Sequence, residues 1–130
     1  MQILHLLQEL QMRLHMSMIL ITHDISVVAT TCHRVLVMYA GKIVEEGTVQ
    51  EVLKTPRHPY TRALLASRPS LRSVRGEKLT TIEGSPPSLV LPPKGCPFAA
   101  RCPHAMNICV KQFPPTLNRS ACWLEDPRCR

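Results

Sequence analysis

Aromatic residues are scarce in this chain of 130: Trp123, Phe98, Phe113, Tyr39 and Tyr60 are the full set. That scarcity argues against a broad aromatic core and against a base-stacking platform for single-stranded nucleic acid. Glycine is nearly as rare, with five, at 41, 47, 76, 84 and 95. None of them lies in a GxxxxGK[ST] loop, the device whose backbone amides and lysine cradle a triphosphate. Long apolar runs are also missing. The most apolar stretch, Met16 to Cys32, is broken by His23 and Asp24 and is too short and polar for a membrane span. The opening MQILHLLQELQMRLH mixes charge and glutamine into its apolar positions, with no small-residue cleavage site after it. It does not read as a secretory signal, and the chain is expected in the cytosol.

Proline and positive charge are what the second half has in excess. All twelve prolines fall after residue 55. The net charge of +7 divides into −1 over residues 1–54 and +8 over 55–130. With its prolines and few aromatics, the second half is expected to pack less well than the first. The basic residues are singly spaced and not interleaved with aromatics, so a nucleic-acid partner is not expected. Six cysteines in a cytosolic chain suggest metal binding or free thiols before disulfides.

Periodicity sets the elements. Ile3, Leu6, Leu7, Leu10 and Leu14 recur at helical spacing, with Gln8, Glu9, Gln11 and Arg13 on the other face. The apolar, partly β-branched run Met18 to Thr22 reads as a strand buried on both faces. A helix over Ser26 to Cys32 follows, with Asp24 as its N-cap. Residues 34–39 and 42–46 read as a hairpin turning at Ala40-Gly41 and broken by Gly47. Thr48 caps a short helix through Lys54. Pro56 and Pro59 mark a linker, Tyr60 to Ser67 a helix, and 68–94 an irregular connection. This order belongs to an α/β protein. A buried strand with only one hairpin beside it looks like the end of a larger sheet domain. The expected segments are 1–54, 55–94 and a cysteine-rich 95–130.

Two sets of residues carry chemistry. Thr22-His23-Asp24 stands where the expected strand meets a helix, the end of an α/β sheet at which ligands bind. A histidine there can hydrogen-bond a phosphate or orient a water, and it can equally be structural. Cys96, Cys102, Cys109 and Cys122 form C-x5-C-x6-C-x12-C, with proline after the first two. Structural zinc prefers pairs two to four residues apart, which this spacing lacks. Wider spacing suits an iron–sulfur cubane, whose irons need separated ligands. Iron–sulfur, zinc and free or disulfide-linked thiols all stay open. Cys129 could replace one of these ligands, but its place at the chain's end favours a free thiol; Cys32 reads as a small buried hydrophobe, and His104, between two of the cysteines, could help a metal site. His58-Pro59-Tyr60 reads either as a docking element or as a turn in which Pro59 starts a helix.

The strings LITHD (20–24) and VVATTCHRVLVMYAGKIVEEGT (27–48) strongly resemble ATP-binding-cassette ATPases. HPYTRALL at 58–65 narrows the resemblance to the oligopeptide/dipeptide importer subfamily. The resemblance implies the C-terminal part of a P-loop-type nucleotide-binding domain followed by a loop-rich, cysteine-containing extension. It implies that His23 is the switch-loop residue that contacts the γ-phosphate of Mg-ATP and positions water in an intact member. It also implies a 4Fe–4S cluster on Cys96, Cys102, Cys109 and Cys122 that braces the extension. Implied partners are a second ATPase subunit, two membrane permeases and, indirectly, an extracytoplasmic peptide-binding protein, placing the chain at the cytoplasmic face of the membrane. The P-loop, the Mg-binding carboxylate strand and the LSGGQ-type signature are absent from these residues. A fragment unable to hydrolyse ATP alone is therefore expected. A stand-alone metal-binding, regulatory or docking module is the alternative.

Overall fold

A computed structural model describes residues 2–67 and 81–129. Thirteen residues of the expected irregular connection, 68–80, lie outside the described residues. Helix α1, Gln2–Leu14, opens the chain. Helix α2, Ile25–Thr31, begins at an Asp24 N-cap whose carboxylate accepts the Ser26 N–H at 2.7 Å. Both follow the sequence pattern.

The strand expected over Met18 to Thr22 does not form. Ile19 and Ile21 are 92% and 94% exposed. A strand needs a neighbour to satisfy its N–H and C=O groups, and among the described residues none lies beside this run. The same lack leaves α1 without cover, so that Ile3, Leu6, Met12 and Leu14 are exposed.

The packed part starts at residue 34. Strands β1, Arg34–Tyr39, and β2, Lys42–Thr48, pair antiparallel around Ala40 and Gly41, both at positive φ, as a tight two-residue hairpin turn requires. Gly47 does not end β2, which runs on to Thr48. The register slips between Val37 and Met38, leaving Val44 as an extra residue on β2. That bulge resets the alternation of faces, and Val44 and Glu45 are consecutively buried. Helix α3, Val49–Lys54, follows through a capping box. The Thr48 Oγ1 accepts the Glu51 N–H, and the Glu51 carboxylate accepts the Thr48 N–H. Helix α4, Pro59–Ala66, carries Pro59 in its first turn, where no N–H is missed.

Beyond residue 95 the chain returns to the hairpin. After helix α5, Asn107–Lys111, the two-residue strands β3, Thr116–Leu117, and β4, Ser120–Ala121, complete an antiparallel sheet of order β1-β2-β4-β3. Their turn, Asn118-Arg119, again places both residues at positive φ. Arg119 is held there by its carbonyl, which accepts the Glu46 N–H at 2.9 Å, and by an ion pair to Glu51 at 2.7 Å.

One core joins the two halves. Val37, Tyr39, Val44 and Val52 from the hairpin and α3 pack with Phe98 from the cysteine-rich segment. Tyr39, Tyr60 and Phe98 form an aromatic triangle with centroids 4.6, 5.4 and 5.3 Å apart. A smaller cluster holds Ala99, Cys109 and Trp123. Within the second half, Leu89, Val90 and Leu91 stay exposed, whereas the cysteine-rich segment packs tightly. Phe98 at 1% and Trp123 at 6% exposure mark its two centres of burial.

Candidate functional site

The linker at 56–59 is positioned by a buried carboxylate. Glu45, 3% exposed on β2, accepts the Arg57 N–H at 2.8 Å and the His58 N–H at 2.9 Å. Arg57 in turn reaches across to the buried Glu125 at 2.8 Å. Arg101 fixes the other side of the extension. Its guanidinium donates to the Tyr39 hydroxyl at 3.0 Å and to the carbonyls of Ile82 and Glu83 at 2.7 and 2.8 Å. Hairpin, linker and cysteine-rich segment are therefore tied by polar contacts as well as by the shared core.

The four cysteines of the C-x5-C-x6-C-x12-C set meet at one place. Cys96, Cys102, Cys109 and Cys122 border a single cavity, together with His58, Phe98, Trp123 and the exposed His104. Gly95 makes this approach possible. The Cys96 N–H donates to the Cys109 carbonyl at 2.7 Å, so two cysteine backbones run in contact. A side chain at position 95 would collide with that carbonyl and stand 2.6 Å from the backbone of Val110.

All six cysteines are free. Burial pushes the Cys122 thiol up to about 11 and raises Cys96 and Cys102 above the usual thiol range. Mutual repulsion among the four adds to this. Backbone N–H groups oppose it: Phe98 and Ala99 at Cys96, His104 at Cys102 and Leu124 at Cys122. The Met106 N–H also donates to the Cys109 sulfur at 3.4 Å. At Cys96, Cys102 and Cys122 these amide dipoles stabilise the thiolate against burial. Among the described residues no three His, Cys, Asp or Glu side chains stand close enough to share one metal ion.

His58 forms the turn in which Pro59 starts a helix. Its Nδ1 accepts the Tyr60 N–H at 3.1 Å and caps α4, while its backbone is docked on Glu45. Burial lowers its imidazole to about 4. Glu45, Arg101 and Gly95 were not singled out by sequence reasoning. For Gly95 the signal was its place directly before Cys96 in a chain with so few glycines.

His23 lies apart from this cavity. It is exposed, in the stretch between the Thr22 hydroxyl, which accepts the Asp24 N–H at 3.0 Å, and the α2 cap. The strand that was to present it is absent among the described residues. Cys129 is half-buried against the cluster of Ala99, Cys109 and Trp123 and does not border the cavity, and half-buried Cys32 closes α2 by donating its N–H to the Val28 carbonyl at 3.1 Å. No helix among the described residues is long and apolar enough to cross a membrane.

Comparison with known proteins gives a consistent family. The oligopeptide/dipeptide transporter C-terminal region matches residues 44–109. The dipeptide transport ATP-binding protein DppD of Bacillus subtilis is 50% identical over 132 aligned residues, covering 98% of this chain and 39% of that protein. The oligopeptide transport ATP-binding protein OppD of the same organism is 55% identical over 114, covering 88% and 32%. A putative peptide import ATP-binding protein of Brucella ovis is 50% identical over 119, covering 88% and 35%. The chain thus spans between about a third and two-fifths of the length of these relatives.

Proposed function

This chain belongs to the oligopeptide/dipeptide transporter C-terminal family, and from that premise we propose that it is the C-terminal part of an ATP-binding subunit that energises peptide import. The observation that carries the proposal is the coincidence of match and structure. The matched residues 44–109 run from β2 through the docked linker to the third of the four cavity cysteines. In this reading the hairpin is the edge of the nucleotide-binding domain and the extension is clamped to it by Glu45, Arg101 and Phe98. Its partners are a second ATPase subunit and two permeases, fed by an extracytoplasmic peptide-binding protein, at the cytoplasmic face of the membrane.

His23 takes its role only when a phosphate cradle faces it. Electrostatic stabilisation of phosphoryl transfer comes chiefly from the P-loop, Mg²⁺ and their surroundings, none of which these 130 residues contain. The chain by itself does not hydrolyse ATP.

The donor set of the cavity fits a 4Fe–4S cluster. Four cysteines border one small cavity, and amide N–H groups lie at the sulfurs, the donor type and number that such a cluster takes. Cys96, Cys102, Cys109 and Cys122 would hold it, and it would supply a cross-link where the apolar core is small.

Two measurements test these claims. The anaerobically purified chain is to show iron and inorganic sulfide in equal amounts with visible absorbance, which Cys102→Ser abolishes. Zinc, or retained absorbance in the variant, refutes the cluster assignment. Titration with Mg-ATP is to give no binding above background, whereas co-expression with the permeases of a peptide importer is to give a stable complex. Micromolar ATP affinity, or failure to co-purify, overturns the subunit reading.

A further inference from the structure

Resting on the cluster reading above, the geometry points to His58 as a hydrogen-bond donor to the cysteine-held group: we propose that its Nε2–H would meet an inorganic sulfide of that group in the cavity bordered by Cys96, Cys102, Cys109 and Cys122. The tautomer follows from the cap. Nδ1 accepts the Tyr60 N–H at 3.1 Å, so in the neutral ring the proton sits on Nε2. The residue is 1% exposed, and Nε2 has no hydrogen-bond partner. A buried donor without an acceptor is a rare arrangement that calls for a reason.

The surroundings narrow the acceptor. The ring borders the cavity and lies 6.2 Å from the Phe98 ring, centroid to centroid. The other buried lining groups are thiols or apolar, apart from Trp123, whose indole N–H is already given to the Gln112 carbonyl at 3.1 Å. None of the cysteine sulfurs accepts from Nε2, so the missing acceptor is one that a sulfide of the bound group would supply. Glu45 and Pro59 lock the backbone on either side, so the ring's placement is set by the fold. A hydrogen bond to a cluster sulfur stabilises the more negative, reduced state and raises the reduction potential. His58 is therefore a positioning and tuning residue, not a ligand.

The test uses the whole chain, reconstituted with ferrous iron and sulfide under argon. His58→Asn keeps a capping acceptor but has no group that extends to the Nε2 position. His58→Gln keeps an N–H donor at that length. The asparagine variant is expected to show a lower potential than wild type in a redox titration, and the glutamine variant to recover part of the difference. A second measurement needs no change at position 58. In a His104→Gln background, which removes the other histidine at the cavity, protein labelled with ¹⁵N in histidine is to show a weak nitrogen coupling in the pulsed electron paramagnetic resonance of the reduced cluster. If the variants lose the cluster altogether, this coupling decides alone. A wild type that takes up no cluster ends the cluster reading and this inference with it. A normal cluster with no histidine coupling, or with a potential indifferent to His58→Asn, overturns the inference and leaves the cluster reading standing.

Discussion

Replacing Glu45 is the sharpest test of how the extension is held. Its carboxylate is 3% exposed and accepts two backbone N–H groups, from Arg57 at 2.8 Å and His58 at 2.9 Å. Hydrogen bonds to a charged group contribute about 1.5–3 kcal/mol each. The two losses are unequal here. Arg57 is half-buried, so water can reach part of its neighbourhood, whereas His58 is buried and its N–H would be stranded. Glu45→Ala is therefore expected to destabilise the chain by about 3 kcal/mol, most of it from the His58 amide. Glu45→Gln keeps one acceptor oxygen but turns an NH₂ toward the other donor, so it is expected to cost about 2 kcal/mol. Urea titration, with the slope checked for constancy, measures both. Amide exchange localises them: the His58 and Arg57 amides are to lose protection before those of β1. A loss under about 1 kcal/mol in Glu45→Ala, with His58 protection unchanged, would refute the claim that this carboxylate fastens the linker to the hairpin.

Phe98→Ala empties the point where hairpin, α4 and cysteine segment meet and is expected to cost about 3–5 kcal/mol in the same titration. Gly95→Ala forces apart the backbones of residues 95 and 109–110 and is expected to abolish the visible absorbance of the reconstituted chain while leaving the α3 helix signals in place. Thr48→Ala breaks the capping box of α3 at a cost of about 1 kcal/mol, read as a shifted midpoint with an unchanged slope. The His58 imidazole, held near 4 by burial, binds its proton more readily in the unfolded chain, whose value is about 6.5. Its contribution, on the order of 3 kcal/mol, is thus complete above pH 6.5 and lost progressively as pH falls from 6.5 to 4, a slope that His58→Asn removes in the metal-free, reduced chain.

What could be read from residues alone followed local chemistry. The alternation of Val35, Val37 and Tyr39, the Ala40-Gly41 turn, Asp24 before α2 and the Thr48-to-Glu51 spacing each carry their own physical cause, and each element formed. The misreadings came where a distant partner decides. Met18 to Thr22 has the composition of a buried strand, but composition does not provide the neighbouring strands that burial requires. The bulge at Val44 depends on how β2 meets both Val37 and the core, and nothing in KIVEEGT announces it. The β3–β4 hairpin is only two residues deep on each side, too short for a periodicity signal. Asn118, a residue that tolerates positive φ, was the available hint.

The cysteine site shows the same division more finely. Spacing could say that four thiols are too widely separated along the chain for paired zinc ligands. It could not say that they border one cavity, because that placement is produced by Gly95, by the return of β4 to β2 and by Phe98 entering the hairpin's core. His58 stands at the junction of these effects. Its backbone N–H belongs to the Glu45 clamp, its Nδ1 to the start of α4 and its ring to the wall of the thiol cavity. One buried side chain thus links the Glu45 clamp, the start of α4 and the lining of the cavity through three different atoms.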